Sequence, residues 1–125
     1  MSNFINFIRN NWLAISAVIL SSITVLSLAP LAELPPAPGS DKLHHLIAYA
    51  ALVTPLALRK PKHWWFIVYF FLAYSGFVEL VQPYVNRYGE WLDMAANSLG
   101  LLCGILLAEL LSFIYPSGFN QQDQK

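Results

Sequence analysis

Eight side chains of this 125-residue sequence have the types and spacing for shared chemistry. His45, Glu79 and Asp93 form a candidate catalytic set, an imidazole with two carboxylates suited to general acid–base work. Asp41, Lys42, Gln82, Arg87 and Asn97 form a candidate ligand-binding set. In it the cations suit a phosphate, and the amides suit the hydroxyls of a sugar or another amide. Spacing groups these residues on helical faces. Ser75, Glu79 and Gln82 stand at i, i+4 and i+7, and Asp93, Asn97, Gly100 and Gly104 at i, i+4, i+7 and i+11. Asp41 and His45 are i, i+4 neighbours, and Lys42, His45 and Tyr49 line the adjacent strip. A converging pocket of His45, Glu79, Asp93 and Asn97 follows if the three segments pack together.

Other chemistries have less support. The sequence has no GxSxG, HExxH or phosphate loop to name a reaction. His45, Glu79 and Asp93 lack any fixed metal-ligand spacing, so no metal or cofactor is expected. The single cysteine, Cys103, excludes an intramolecular disulfide and any CxxC motif, and it lies in an apolar run. Seven Lys+Arg balance seven Asp+Glu, which gives no basic surface for nucleic acid. The competing view of the polar residues is structural. Residues within a turn of a helix end serve as caps and interface anchors, and that view fits Lys42, His44 and Glu33 best.

The elements that must position these groups belong in a membrane. The chain is 57% hydrophobic and 11% charged, where an average soluble domain has about 25% charged residues. A small soluble domain has too little interior to hide so much apolar surface. A helix needs about 20 apolar residues to cross a bilayer, and the sequence predicts an all-α bundle of four spans in one domain. The spans fall at about 12–29, 43–58, 64–82 and 92–115. The first is read as a retained span rather than a signal peptide, because the apolar run is long and Pro30 follows Ala29. Leu34 to Ser40 is a helix-breaking loop, Ser40 or Asp41 caps the second helix, and Pro83 stops the third.

Orientation follows from charge. The turn Arg59-Lys60-Pro61-Lys62-His63 is basic, so it is expected in the cytoplasm, with both termini on the same side of a plasma (inner) membrane. Asp41, Lys42, His45, Glu79, Gln82, Asp93 and Asn97 then gather in the outer leaflet, with Glu79 about 22 Å above Trp64 at helical rise. Glu109 is the exception, near the inner interface. A carboxylate as deep as Glu79 costs about 2.5–3.5 kcal/mol to insert, which makes it a functional candidate that requires a partner.

With these residues in view, the chain resembles the VanZ-like family of small bacterial membrane proteins. Asp41-Lys42-Leu43-His44-His45 is similar to that family's D-K-x-x-H, Glu79-Leu80-Val81-Gln82 to its E-x-x-Q, and Asp93 to Gly100 to its D-x-x-x-N-x-x-G, with Arg87 where its arginine follows. The resemblance covers residues 41–104, roughly half the chain. It implies a role at the cell envelope, and the family's namesake is associated with resistance to the glycopeptide teicoplanin. Two functions compete. One is binding of a lipid headgroup, a lipid-linked cell-wall precursor or an amphiphilic drug; the other is an intramembrane hydrolase or transferase using His45 and Glu79. Proton-coupled transport fits less well, since the polar residues occupy one leaflet, and a purely structural membrane protein is the plainest option. Gly100 and Gly104 form GxxxG, a close-packing pattern through which a homo-oligomer would also form.

Overall fold

A computed structural model describes residues 1–28, 41–85 and 91–116. Every element among them is helical: α1 (Ser2–Asn10), α2 (Trp12–Leu28), α3 (Asp41–Arg59), α4 (Trp64–Val81), a 3₁₀ turn (Gln82–Val85) and α5 (Trp91–Ile114). Four of the helices coincide with the four apolar runs to within two residues. Ala29, the loop from Leu34 to Ser40, the Asp41 side chain, Arg87 and the tail from Gln121 lie outside the described residues.

The outside of the bundle is apolar, and polar side chains are buried in its interior among the apolar core. Val18, Val25, Phe66, Phe70, Phe77, Leu106, Leu110 and Phe113 are more than half exposed, whereas Arg9, Ser75, Gln82, Asp93 and Asn97 are buried. That inversion suits a lipid solvent, in which apolar side chains face outward and polar groups must be satisfied internally. Hydroxyls on the helices obey the same rule by bonding back one turn: Ser21 to the Ala17 carbonyl, Ser22 to Val18 and Thr24 to Leu20. By length and composition α5 and the stretch Trp64–Tyr84 can cross a membrane, and α1 with α2 makes a third candidate bent by 76°. This is a membrane protein. Helix α3 falls short of that test because Asp41, Lys42, His44, His45 and Arg59 dilute its apolar run.

The sequence shows α1 only as a leader to the first span. Its Phe4 and Phe7 are exposed, while Ile5 and Arg9 are buried against the bundle. Arg9 donates to Asn6 Oδ1 at 2.9 Å and to the Tyr115 carbonyl at 2.7 Å, so α1 closes the C-terminal end of α5. That carbonyl is one of the acceptors a helix end leaves open, and a cation there also opposes the end's partial negative charge. Glu109 is explained at the same end, since it pairs with Lys60 of the basic turn.

Helices α3 and α5 form the closest pair in the molecule and run in the same direction. Leu46 meets Gly100, Ala50 and Val53 meet Gly104, and Ala57 clusters with Ala108. Helices α2 and α4 flank this pair: Ser16 donates to the Leu52 carbonyl at 3.3 Å, and Thr24 bonds the Tyr74 hydroxyl. Both glycines are buried inside the chain. The GxxxG stripe is therefore occupied by the protein's own α3.

A Cβ at Gly104 would stand 2.5 Å from the Ala50 carbonyl oxygen, backbone against which nothing flexible can give, whereas one at Gly76 meets Met94 Cε at 3.4 Å. Gly104→Ala should thus cost about 1–3 kcal/mol by overpacking, with Gly76→Ala close to neutral. Thermal unfolding in detergent compares the two, and equal midpoints would refute the packing account.

Candidate functional site

The α3–α5 contact fixes the site. Asn97 precedes Gly100 by one turn and His45 precedes Leu46 by one residue, so the glycine contact brings the two side chains level. His45 Nδ1 lies 2.9 Å from Asn97 Oδ1. An amide oxygen only accepts, so Nδ1 carries the proton and donates. The other ring nitrogen, Nε2, is turned to Asp93, 3.9 Å from its Oδ2. Asp93 Oδ1 lies 3.5 Å from the Lys42 ammonium. From the third element, α4, Glu79 joins them: donor atoms of His45, Glu79 and Asp93 all lie within 4.8 Å of one another.

Burial makes these contacts consequential. Asp93 is 3% exposed and Asn97 1%, and a buried carboxylate is expensive unless a cation or a donor faces it. The Lys42 side chain is 43% exposed, so it connects the cluster to the outside. Tyr49, one turn beyond His45 on α3, is also buried and closes the floor.

Beside the cluster lies an apolar groove of about 570 Å³ between α4 and α5, lined by Ala73, Gly76, Phe77, Leu80, Trp91 and Met94, with Pro83 at its end. Glu79 also lines this groove, so one carboxylate belongs to both the polar cluster and the apolar trough. The sequence does not announce the groove, because Phe77, Met94 and Trp91 read as ordinary lipid-facing or interfacial residues. Only the angle between two helices opens space among them.

Of the eight expected residues, the structure brings Lys42, His45, Glu79, Asp93 and Asn97 together. Gln82 takes a different partner: its Nε2 donates to the Ser27 carbonyl at 3.2 Å, tying the 3₁₀ turn to the end of α2. Its Oε1 is buried and accepts no hydrogen bond among the described residues. The Asp41 side chain and Arg87 lie outside the described residues. Arg9 is also buried, although its place in the sequence does not mark it as part of a site. It stands as a lone cation just before a long uncharged run.

The profile of the VanZ/LLP1 family matches residues 2–112. The chain belongs to that family. No curated protein and no solved structure matches it. The VanZ/LLP1 match takes in every described helix, α1 included, whereas the motifs quoted above start only at Asp41. In this VanZ/LLP1 chain, residues 60 positions or fewer apart in sequence and on three different helices meet at one end of the bundle.

Removing the Asn97 acceptor should release His45 from a single tautomer. In ¹⁵N spectra of histidine-labelled protein the His45 ring, assigned by its loss in His45→Gln, should show the Nδ1-protonated form. Asn97→Ala should mix the tautomers and cost about 1–3 kcal/mol for the buried donor left unpaired. An unaltered ring spectrum in Asn97→Ala would show that Asn97 does not hold the imidazole.

Proposed function

We propose that the protein is a four-span plasma-membrane protein with both termini in the cytoplasm, and that it binds an amphiphile from the outer leaflet. The observation that carries this reading is the double membership of Glu79. An acyl or isoprenoid chain fits the apolar groove between α4 and α5, and the polar head then meets Glu79 where the cluster begins. Lys42, His45 and Asn97 supply a charged group, an imidazole and an amide for a head that carries hydroxyls or amides. Arg87, and Asp41 at the start of α3, join the head site by family motif. A lipid headgroup, a lipid-linked cell-wall precursor and an amphiphilic drug of the glycopeptide type share this plan of apolar tail and polar head. A resistance role follows only if the last of these is bound.

The four-span topology is supported by the alternating direction of α2 to α5 and by the basic α3–α4 turn. Helix α3, the least apolar, is the one that the others shield, since Leu52, Val53, Leu56 and Ala57 are fully buried. A span surrounded by protein does not need a continuous apolar surface of its own. In a Cys103→Ser background, a cysteine placed at Lys62 should resist a membrane-impermeant maleimide on intact cells, and one at Arg87 should react. The opposite pattern would invert the orientation.

A second reading is favoured by one observation, the imidazole held by Asn97 with its Nε2 toward the Asp93 carboxylate. That is the arrangement of an oriented general base, with Lys42 beside developing negative charge. Under it, turnover of a purified lipid substrate disappears in His45→Ala while retention of that lipid persists.

Native mass spectrometry of protein extracted with its lipids tests the main reading. Wild type should retain a specific lipid or precursor. Glu79→Gln should lose it, and so should Gly76→Phe, which fills the groove and leaves the Glu79 carboxylate in place. Retention of the same lipids by all three forms would sink the proposal.

A further inference from the structure

The cluster has a property that amphiphile binding does not use. Three lone-pair donors from three helices, His45 on α3, Glu79 on α4 and Asp93 on α5, converge to within 4.8 Å of one another. Sequence spacing gave no hint of this, since no two of them share a helix. From this juxtaposition we propose that His45, Glu79 and Asp93 form a binding site for one first-row divalent cation, of the zinc type, at the outer end of the bundle.

Three features point to an ion rather than to a self-sufficient hydrogen-bond network. First, His45 is oriented as a ligand. Its Nδ1–H is donated to Asn97 Oδ1 at 2.9 Å, and its Nε2 lies 3.9 Å from Asp93 Oδ2. A metal-binding imidazole nearly always donates its second nitrogen to an oxygen acceptor in this way, which fixes both tautomer and ring. Second, Asp93 is 3% exposed and its Oδ1 accepts no hydrogen bond among the described residues. Its neighbours are the Lys42 ammonium at 3.5 Å and the His45 Nε2 at 3.9 Å. Third, the charge is right. Two carboxylates and a neutral imidazole balance a dication, and three protein ligands leave one position of a tetrahedral ion open.

The geometry needs only small closure. Ligand atoms at about 2.0–2.2 Å from zinc lie roughly 3.4 Å apart around a tetrahedron, and the His45–Asp93 pair stands at 3.9 Å. The three ligand atoms stand within 4.8 Å of one another, so binding requires them to close by up to about 1.4 Å. Lys42 is the competitor. Its ammonium stands at Asp93 where the ion's charge would act, and its half-exposed side chain can withdraw outward, which also opens the entry route. The one-histidine, two-carboxylate set suits zinc, iron or manganese among common ions and makes a soft-metal site improbable. This inference does not depend on whether the groove holds a lipid.

Zinc chloride is the probe. Detergent-purified full-length protein, stripped with a chelator, is equilibrated with zinc, desalted and assayed for bound metal, with affinity from competition against a chromogenic chelator. Wild type should retain about one zinc per chain, and so should a His44→Gln, His63→Gln double variant, which removes the other two imidazoles. His45→Gln and Asp93→Asn should retain none while keeping the wild-type elution volume and helical circular dichroism. Lys42→Gln should bind about tenfold more tightly, because a competing unit charge has been removed from the ion's position. Zinc retained by His45→Gln and Asp93→Asn, or its loss in the double variant, would overturn the assignment. If those two single variants fail to fold, Lys42→Gln decides: an affinity equal to or weaker than wild type overturns it, and a tighter one supports it. Lipid retention is read separately by mass, so a wild type that binds zinc but retains no specific lipid defeats the amphiphile reading alone.

Discussion

The backbone-to-backbone approach of α3 and α5 is the constraint on which the rest of the structure depends. In lipid there is little hydrophobic gain in pushing two apolar helices together, so contact distance and packing decide which pairs form. Gly100 and Gly104 remove the side chains that would hold α5 away, and Leu46, Ala50 and Val53 of α3 fill the space. The same register continues to Ala57 and Ala108 and ends at the Lys60–Glu109 pair. Because the two helices run in parallel, whatever stands one turn before the glycines on α5 is carried to the start of α3. That is why Asn97 and Asp93 meet His45 and Lys42. The packing motif and the polar cluster are two halves of one seam.

Such a cluster is costly to build in a membrane protein. Each carboxylate placed there has to be compensated by a cation, a proton or a donor. Lys42 is recorded at Asp93 and the amide of Asn97 at His45, and the Glu79 carboxylate opens onto the apolar groove as well. A site made only to lock helices together would be better served by a neutral pair such as the Thr24–Tyr74 bond between α2 and α4. The opposite end of the bundle shows what purely structural polar residues look like in this molecule. There Arg9 caps α5 and Lys60 pairs with Glu109.

Much of the fold was legible because each helix carries its own evidence. The long uncharged run after Arg9, the break at Pro83 and the basic turn at Arg59 to His63 act locally, and the helices end where those signals fall. Asp93 and Asn97 were legible as inward-facing because helical periodicity places them in line with Gly100 and Gly104. The bend between α1 and α2 was not legible, since Asn10 and Asn11 carry no strong helix-breaking signal and the turn is held by Arg9 reaching a residue 106 positions away. For the same reason Gln82 was grouped with the acids it neighbours in sequence, although its amide is taken by Ser27 of α2.

By itself the sequence determined that this is a helical membrane chain, where its helices lie, and which residues are too polar for lipid and so must find one another. Those are properties of composition and of periods shorter than a helix, which the chain carries whatever its neighbours do. Only the tertiary structure decided the pairings: that GxxxG faces α3 of its own chain, that His45 is held by Asn97, that three ligand atoms on three helices converge, and that Glu79 opens onto an apolar groove. Each of these depends on the distance and angle between helices far apart in sequence, and those are set by packing summed over the whole seam.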